Sequence, residues 1–195
     1  MPPVVKMNAF AKTVCFSPDD LAAIRHAAAE RQAKKESKDF YGANNRIATR
    51  RDDTDIHVVG LLGECAVSRL IGGQPDLRAT LWGGGHDLTF GDVTIEVKTL
   101  QGLLLFNSLD HLKSDIAVLC TYDKKDYSRV SVQGWTTKRR FAENCFSADF
   151  GYGNRVCMQP AALLSIDRLP VFCEMWRMFR SLIGEKDMLK ALEKA

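Results

Sequence analysis

The sequence is first informative for what it lacks. It has no uninterrupted apolar run near the ~18 residues that a membrane helix needs, so no membrane partner is expected. Its opening, MPPVVKMNAF, has neither the apolar core nor the small-residue cleavage site of a secretory leader, and a cytoplasmic protein is expected. Its six cysteines form no CxxC pair and stand near no histidine at ligand spacing, which argues for buried thiols in a reducing compartment over disulfides or a zinc site. There is no internal repeat and no low-complexity tract. A dominant charge is also missing: 27 Lys and Arg against 24 Asp and Glu leave +3, which selects no partner.

What remains is ordinary globular composition over 195 residues, 46% hydrophobic and 26% charged. That length suits one domain spanning 1–195. Residues 1–50 read as a helical, basic N-terminal extension and 170–195 as C-terminal helices. Ser17-Pro18-Asp19-Asp20 is a helix start: an N-cap serine, proline at the first helical position and acids in the first turn. That helix fades near Ser37 into a polar loop or broken helix. A second helix is expected from about Asp55 to Leu70, stopped by Gly72-Gly73. Residues 76–82 suit a short strand. HDLTF and VTIEVKTL are better strands, followed by DIAVLCTY and RVSVQGW, a short basic helix in TTKRRFAENCF and a strand near Val156. The order predicts an α/β fold with a mixed sheet.

The chemistry concentrates in residues 83–102. A two-residue Gly91-Asp92 connection between alternating runs is a hairpin signal. Its register pairs Phe90 with Val93, Thr89 with Thr94, Leu88 with Ile95 and Asp87 with Glu96. Two carboxylates then oppose one another, which destabilises a purely structural sheet but suits a divalent cation. Lys98 shares the face of Glu96, two residues on. There an ammonium can orient or deprotonate a metal-bound water, or offset charge on a phosphate oxygen. The alternative is a strand start at Asp87 and a solvated Glu96–Lys98 pair. Glu64 on the second helix has two readings, a third carboxylate near the cation or an exposed polar-stripe residue. Buried without a partner it would be costly.

These residues resemble the PD-(D/E)xK superfamily of restriction-endonuclease-like nucleases. The likeness runs through GLLGECAVSRL with Glu64, GHDL with Asp87 and IEVKT with Glu96 and Lys98. Downstream, SDIAVLCTY and VSVQGWTTKRRF look like the next strands and helix of small phage and bacterial members. The resemblance implies a mixed four- to five-stranded sheet flanked by helices. It also implies metal ligation by Asp87, Glu96 and the Val97 carbonyl, with Glu64 as the helix-borne acid and Lys98 near the attacking water. The cofactor implied is Mg²⁺, with Mn²⁺ able to substitute. His86 stands where the motif's name places proline, and Gln101 is an auxiliary candidate.

The +3 hides an uneven distribution. Between Arg25 and Arg51 eight basic residues face three acidic ones, a local +5. Within it Arg46, Arg50 and Arg51, together with Lys138, Arg139 and Arg140 further on, are candidate phosphate contacts of a DNA partner. Trp135 and Tyr152 read as packing residues. Phe172, Met175, Trp176 and Phe179 form a helical stripe that suits either the core or a homodimer surface. The function expected is a Mg²⁺-dependent deoxyribonuclease. The rivals are a catalytically silent nuclease-fold module that binds nucleic acid or protein, and a structural or inhibitory protein whose basic patch meets another anionic surface.

Overall fold

The computed structural model describes residues 5–37, 53–72, 86–151, 153–179, 187 and 190. Arg46, Arg50, Arg51, Tyr152, the strand expected at 76–82 and most of the tail beyond 179 lie outside them, as does the side chain of Phe179.

Helix α1 (Pro18–Ser37) begins where its capping signals stand. The Ser17 amide donates to Asp20 Oδ2 at 2.8 Å and the Asp20 amide donates back to Ser17 Oγ at 3.2 Å. Two otherwise orphaned helix-start donors are thereby satisfied. Helix α2 (Asp53–Ile71) packs against α1.

The main sheet has five strands in the order β1-β6-β5-β3-β2. These are β1 (Lys12–Cys15), β2 (Leu88–Phe90), β3 (Val93–Thr99), β5 (Ile116–Asp123) and β6 (Asp126–Thr137). Strands β3 and β5 run parallel and every other pair antiparallel, so the sheet is mixed, as expected. Central β5 is buried from Ile116 to Tyr122, which explains its near-continuous apolar sequence. Its side chains divide by parity between two cores. Ile116, Val118 and Cys120 meet α1, α2 and helix α4 (Leu169–Phe179); Ala117 and Leu119 meet the opposite layer.

Of that opposite layer the sequence foretold only the strand near Val156. The layer is a second sheet, β4 (Leu104–Phe106), β7 (Phe146–Asp149) and β8 (Asn154–Met158), in the order β4-β8-β7. The short basic helix α3 (Lys138–Asn144) inserts Phe141 beside Phe106, their rings edge to face at 5.3 Å. Nor is the N-terminal region only a helical extension: Lys12–Cys15 forms an edge strand on β6, and Phe16, Ile24, Ala27 and Ala28 enter the main core. Trp135 is fully buried and stacks near Phe172, centroids 4.9 Å apart. Phe172 is buried, with Met175 and Trp176 partly buried against the same core, so this part of the helical stripe packs inward. All six cysteines are free thiols, four of them buried.

Close approach places α2. A Cβ on Gly63 would stand 1.9 Å from Thr99 Oγ1 and 3.2 Å from Val97 Cγ1, so only glycine lets the helix lie this near the end of β3. Gly63→Ala is expected to destabilise by about 1–3 kcal/mol through overpacking, with a lowered denaturation midpoint as the readout. An unchanged midpoint would contradict this close approach.

Candidate active site at the end of strand β3

The β2–β3 hairpin has the register read from the sequence, Phe90 with Val93, Thr89 with Thr94 and Leu88 with Ile95. Gly91 takes φ +60, the left-handed conformation that such a tight connection needs. The ladder then stops one pair short of the expected Asp87–Glu96 opposition. The Asp87 amide donates to the Ile95 carbonyl at 3.0 Å, while its carboxylate Oδ2 accepts the Val97 amide at 2.7 Å. The side chain of Asp87 thus caps a β3 donor that β2 ends too soon to pair. This is the physical reason the two acids are not a cross-strand pair.

Along β3, Val93, Ile95 and Val97 are buried toward α2, whereas Thr94, Glu96 and Lys98 project from the opposite face. Lys98 pairs with Glu96, and its ammonium lies 5.4 Å from the Phe106 ring centre, a cation–π distance. Glu64 approaches from the helix side of the sheet. It is buried, and not on an exposed polar stripe. Arg31 of α1 holds both its oxygens, Nη1 to Oε1 and Nη2 to Oε2, each at 3.2 Å. Sequence reasoning counted Arg31 only in the basic run; the one signal available was that a buried glutamate needs a cation.

The electrostatics gather on Asp87. Burial pushes its carboxyl up from an ordinary value near 3.8 to about 6. The fields of Glu64 and Glu96 push the same way, while the Val97 hydrogen bond and Lys98 oppose them. Among the described residues no lysine or arginine pairs with Asp87. Here, then, are three acids and two bases about the end of one strand, with the uncompensated charge on the half-buried Asp87.

This donor set fits a hard divalent cation. Asp87 and Glu96 supply carboxylate oxygens, and the Val97 carbonyl projects to the same edge of β3 as the amide that Asp87 caps. Among the described residues, however, no three His, Cys, Asp or Glu side chains come together as a ready cage for a metal ion. The reason is visible in the pairs: Arg31 engages Glu64 and Lys98 engages Glu96.

The titration of Asp87 can be tested directly. Between about pH 4 and pH 6 the folded protein keeps a proton that the unfolded chain releases. Stability is therefore lost as pH rises through that window. Asp87→Asn, which can still accept from Val97, is expected to raise unfolding free energy at pH 7.5 by up to about 3 kcal/mol. Below pH 4 it is expected to be nearly neutral. Urea denaturation at both pH values reads the difference, and an equal effect at both would contradict the shift.

The remaining candidates fall in different places. His86 is half-buried beside Asp87 in sequence. The amide of Gln101 donates to the Tyr122 carbonyl at 2.5 Å, tying the end of β3 to β5. Lys138 is exposed at the start of α3, Arg139 pairs with Glu143 at 3.0 Å, and Arg140 turns inward to the Ala162 carbonyl at 3.4 Å. Among the described residues no helix is long and apolar enough to cross a membrane. No family model, curated protein or solved structure matches the chain.

Proposed function

We propose that this protein is a divalent-metal-dependent phosphodiester hydrolase acting on DNA, a reading that shares the PD-(D/E)xK pattern. The observation that carries it is the half-buried Asp87 beside the end of β3, within the fields of Glu64, Glu96 and Lys98 and, among the described residues, without a basic partner of its own. The cap on the Val97 amide accounts for one oxygen of Asp87; a raised carboxyl set among two further acids and a lysine is also the arrangement that cation-binding sites use.

Asp87, Glu96 and the Val97 carbonyl would hold the cation, Mg²⁺ or Mn²⁺. When bound it would supply Lewis-acid charge and an ionisable water at neutral pH. The chain's own residues do the rest. Arg31 fixes the carboxylate of Glu64, so the helix-borne acid keeps one orientation. Lys98, partly exposed, brings positive charge to a scissile phosphate or to the attacking water. Glu96 and the Phe106 ring both engage the lysine ammonium. Lys138 and Arg139, and the basic run that includes Arg46, Arg50 and Arg51, would contribute salt-sensitive phosphate contacts.

A second reading is favoured by the ion pairs themselves, because Arg31 and Lys98 already occupy two of the three acids. It is a catalytically silent fold that binds nucleic acid. The discriminating experiment presents duplex, single-stranded and branched DNA with Mg²⁺ or Mn²⁺, with and without chelator. Cleavage that chelator abolishes is expected. Metal-independent binding without turnover on every substrate would overturn the hydrolase reading in favour of the silent one.

A further inference from the structure

A cavity of about 450 Å³ opens near the other end of β3, where Asp115 binds Thr94. It is built by the segment before β5, the β6–α3 junction and α4. Its lining combines three kinds of group. Lys113, Lys138 and Arg139 supply positive charge. Trp176 supplies a partly exposed aromatic wall, backed by the buried ring of Phe172 at 5.7 Å. Ser114 supplies a hydroxyl: the residue is 2% exposed, and its Oγ has no hydrogen-bond partner among the described residues.

The charges here are available. Among the described residues neither Lys113 nor Lys138 pairs with an acid. Asp115, the carboxylate of the lining, accepts from the Thr94 amide at 2.9 Å and from its hydroxyl at 2.7 Å, both on Oδ2, which turns that oxygen to β3 while three basic side chains outnumber its charge in the lining. Arg139 shares an exposed i,i+4 pair with Glu143, which costs little to exchange. A buried hydroxyl without a partner is expensive, and such groups in native proteins call for a ligand or water.

We propose that this cavity binds one nucleotide unit, its base stacked on Trp176 and its phosphate held by Lys113 and Lys138. A flat π-face beside cations is what a base carrying a phosphate requires, and the volume lies in the range of small-ligand sites. An acidic peptide would use the lysines but leave the indole idle. The nucleotide can come from two sources, a free mononucleotide or a unit of a single strand. The strand form rests on the proposed DNA hydrolase; the free form does not.

The test uses the full chain in chelator, so that hydrolysis plays no part. Tryptophan emission is titrated with dAMP and, separately, with a single-stranded oligothymidylate. Quenching by either probe is expected. In the variants affinity is read by isothermal titration calorimetry, which does not need the indole, and is expected to fall about tenfold or more in Trp176→Leu and in the double variant Lys113→Glu, Lys138→Glu. For the oligonucleotide, the double variant also has a shallower salt dependence. Quenching by dAMP assigns the free nucleotide, and binding of the oligonucleotide alone assigns the strand. No binding of either probe overturns the proposal. So does affinity unmoved in both variants, with folding verified by thermal melts. Polyglutamate binding that depends on the lysines but not on Trp176 overturns it in favour of a peptide. Because no step needs metal, failure of the hydrolase reading would leave these results intact.

Discussion

Lys98→Ala is expected to lower DNA cleavage by about 10²–10³-fold in kcat, the loss usual when one preorganised electrostatic donor is removed from a hydrolytic site. Its side chain is about a third exposed and its anchors are the Glu96 carboxylate and the Phe106 face, so truncation leaves the two hydrophobic cores intact. Thermal melts of the variant should therefore stay near wild type while turnover collapses. Asp87→Asn is expected to lose at least as much, through a different step. It removes the carboxylate charge that would hold the cation, so its deficit should shrink at high Mn²⁺ whereas that of Lys98→Ala should not. Cleavage retained by either variant would remove that residue from the site.

Arg31→Ala is expected to destabilise the fold by about 3–5 kcal/mol, because it leaves the carboxylate of Glu64 buried without its bidentate partner. Glu64→Gln alone should cost less, since the amide carries no charge that needs compensation. The double variant Arg31→Leu, Glu64→Leu should recover most of the stability, read in a double-mutant cycle by urea denaturation. Recovery of folding without recovery of cleavage is the expected combination. A mild Arg31→Ala effect, below about 1 kcal/mol, would mean that water or another cation serves Glu64.

The parts of this architecture that were legible in the sequence are those specified locally. The hairpin register follows from Gly91-Asp92 and the alternation of Val93, Ile95 and Val97. The start of α1 follows from Ser17, Pro18 and Asp20, which meet within one helical turn. Strand β1 was illegible because four residues carry little periodicity and their partners stand on β6, with Thr13 and Ser131 118 positions apart. Of the second sheet only the strand near Val156 was legible; β4 and β7, three and four residues long, were missed for the same reason. At the candidate site, Asp87, Glu96 and Lys98 could be singled out by residue type. What could not be foreseen was the use made of Asp87, whose side chain replaces a missing ladder bond, or the choice of Arg31 as the partner of Glu64, 33 residues away. Each depends on where a strand stops or a helix lands.

The pairing of β1 with β6 also sets an order of events during synthesis. A ribosome adding roughly 5–20 residues per second needs about 6–24 s to travel from Thr13 to Ser131. Until then the first strand has no template, while β2, β3 and β5 can already associate. Nascent β6 emerges with an open outer edge that the oldest segment of the described chain later pairs from Arg129 to Val132, Leu164 bridging it at Trp135. The long β6 therefore stays at the margin until its four-residue cover arrives, and an N-terminal fusion that retards β1 would prolong the exposure of that longer edge in the newborn protein.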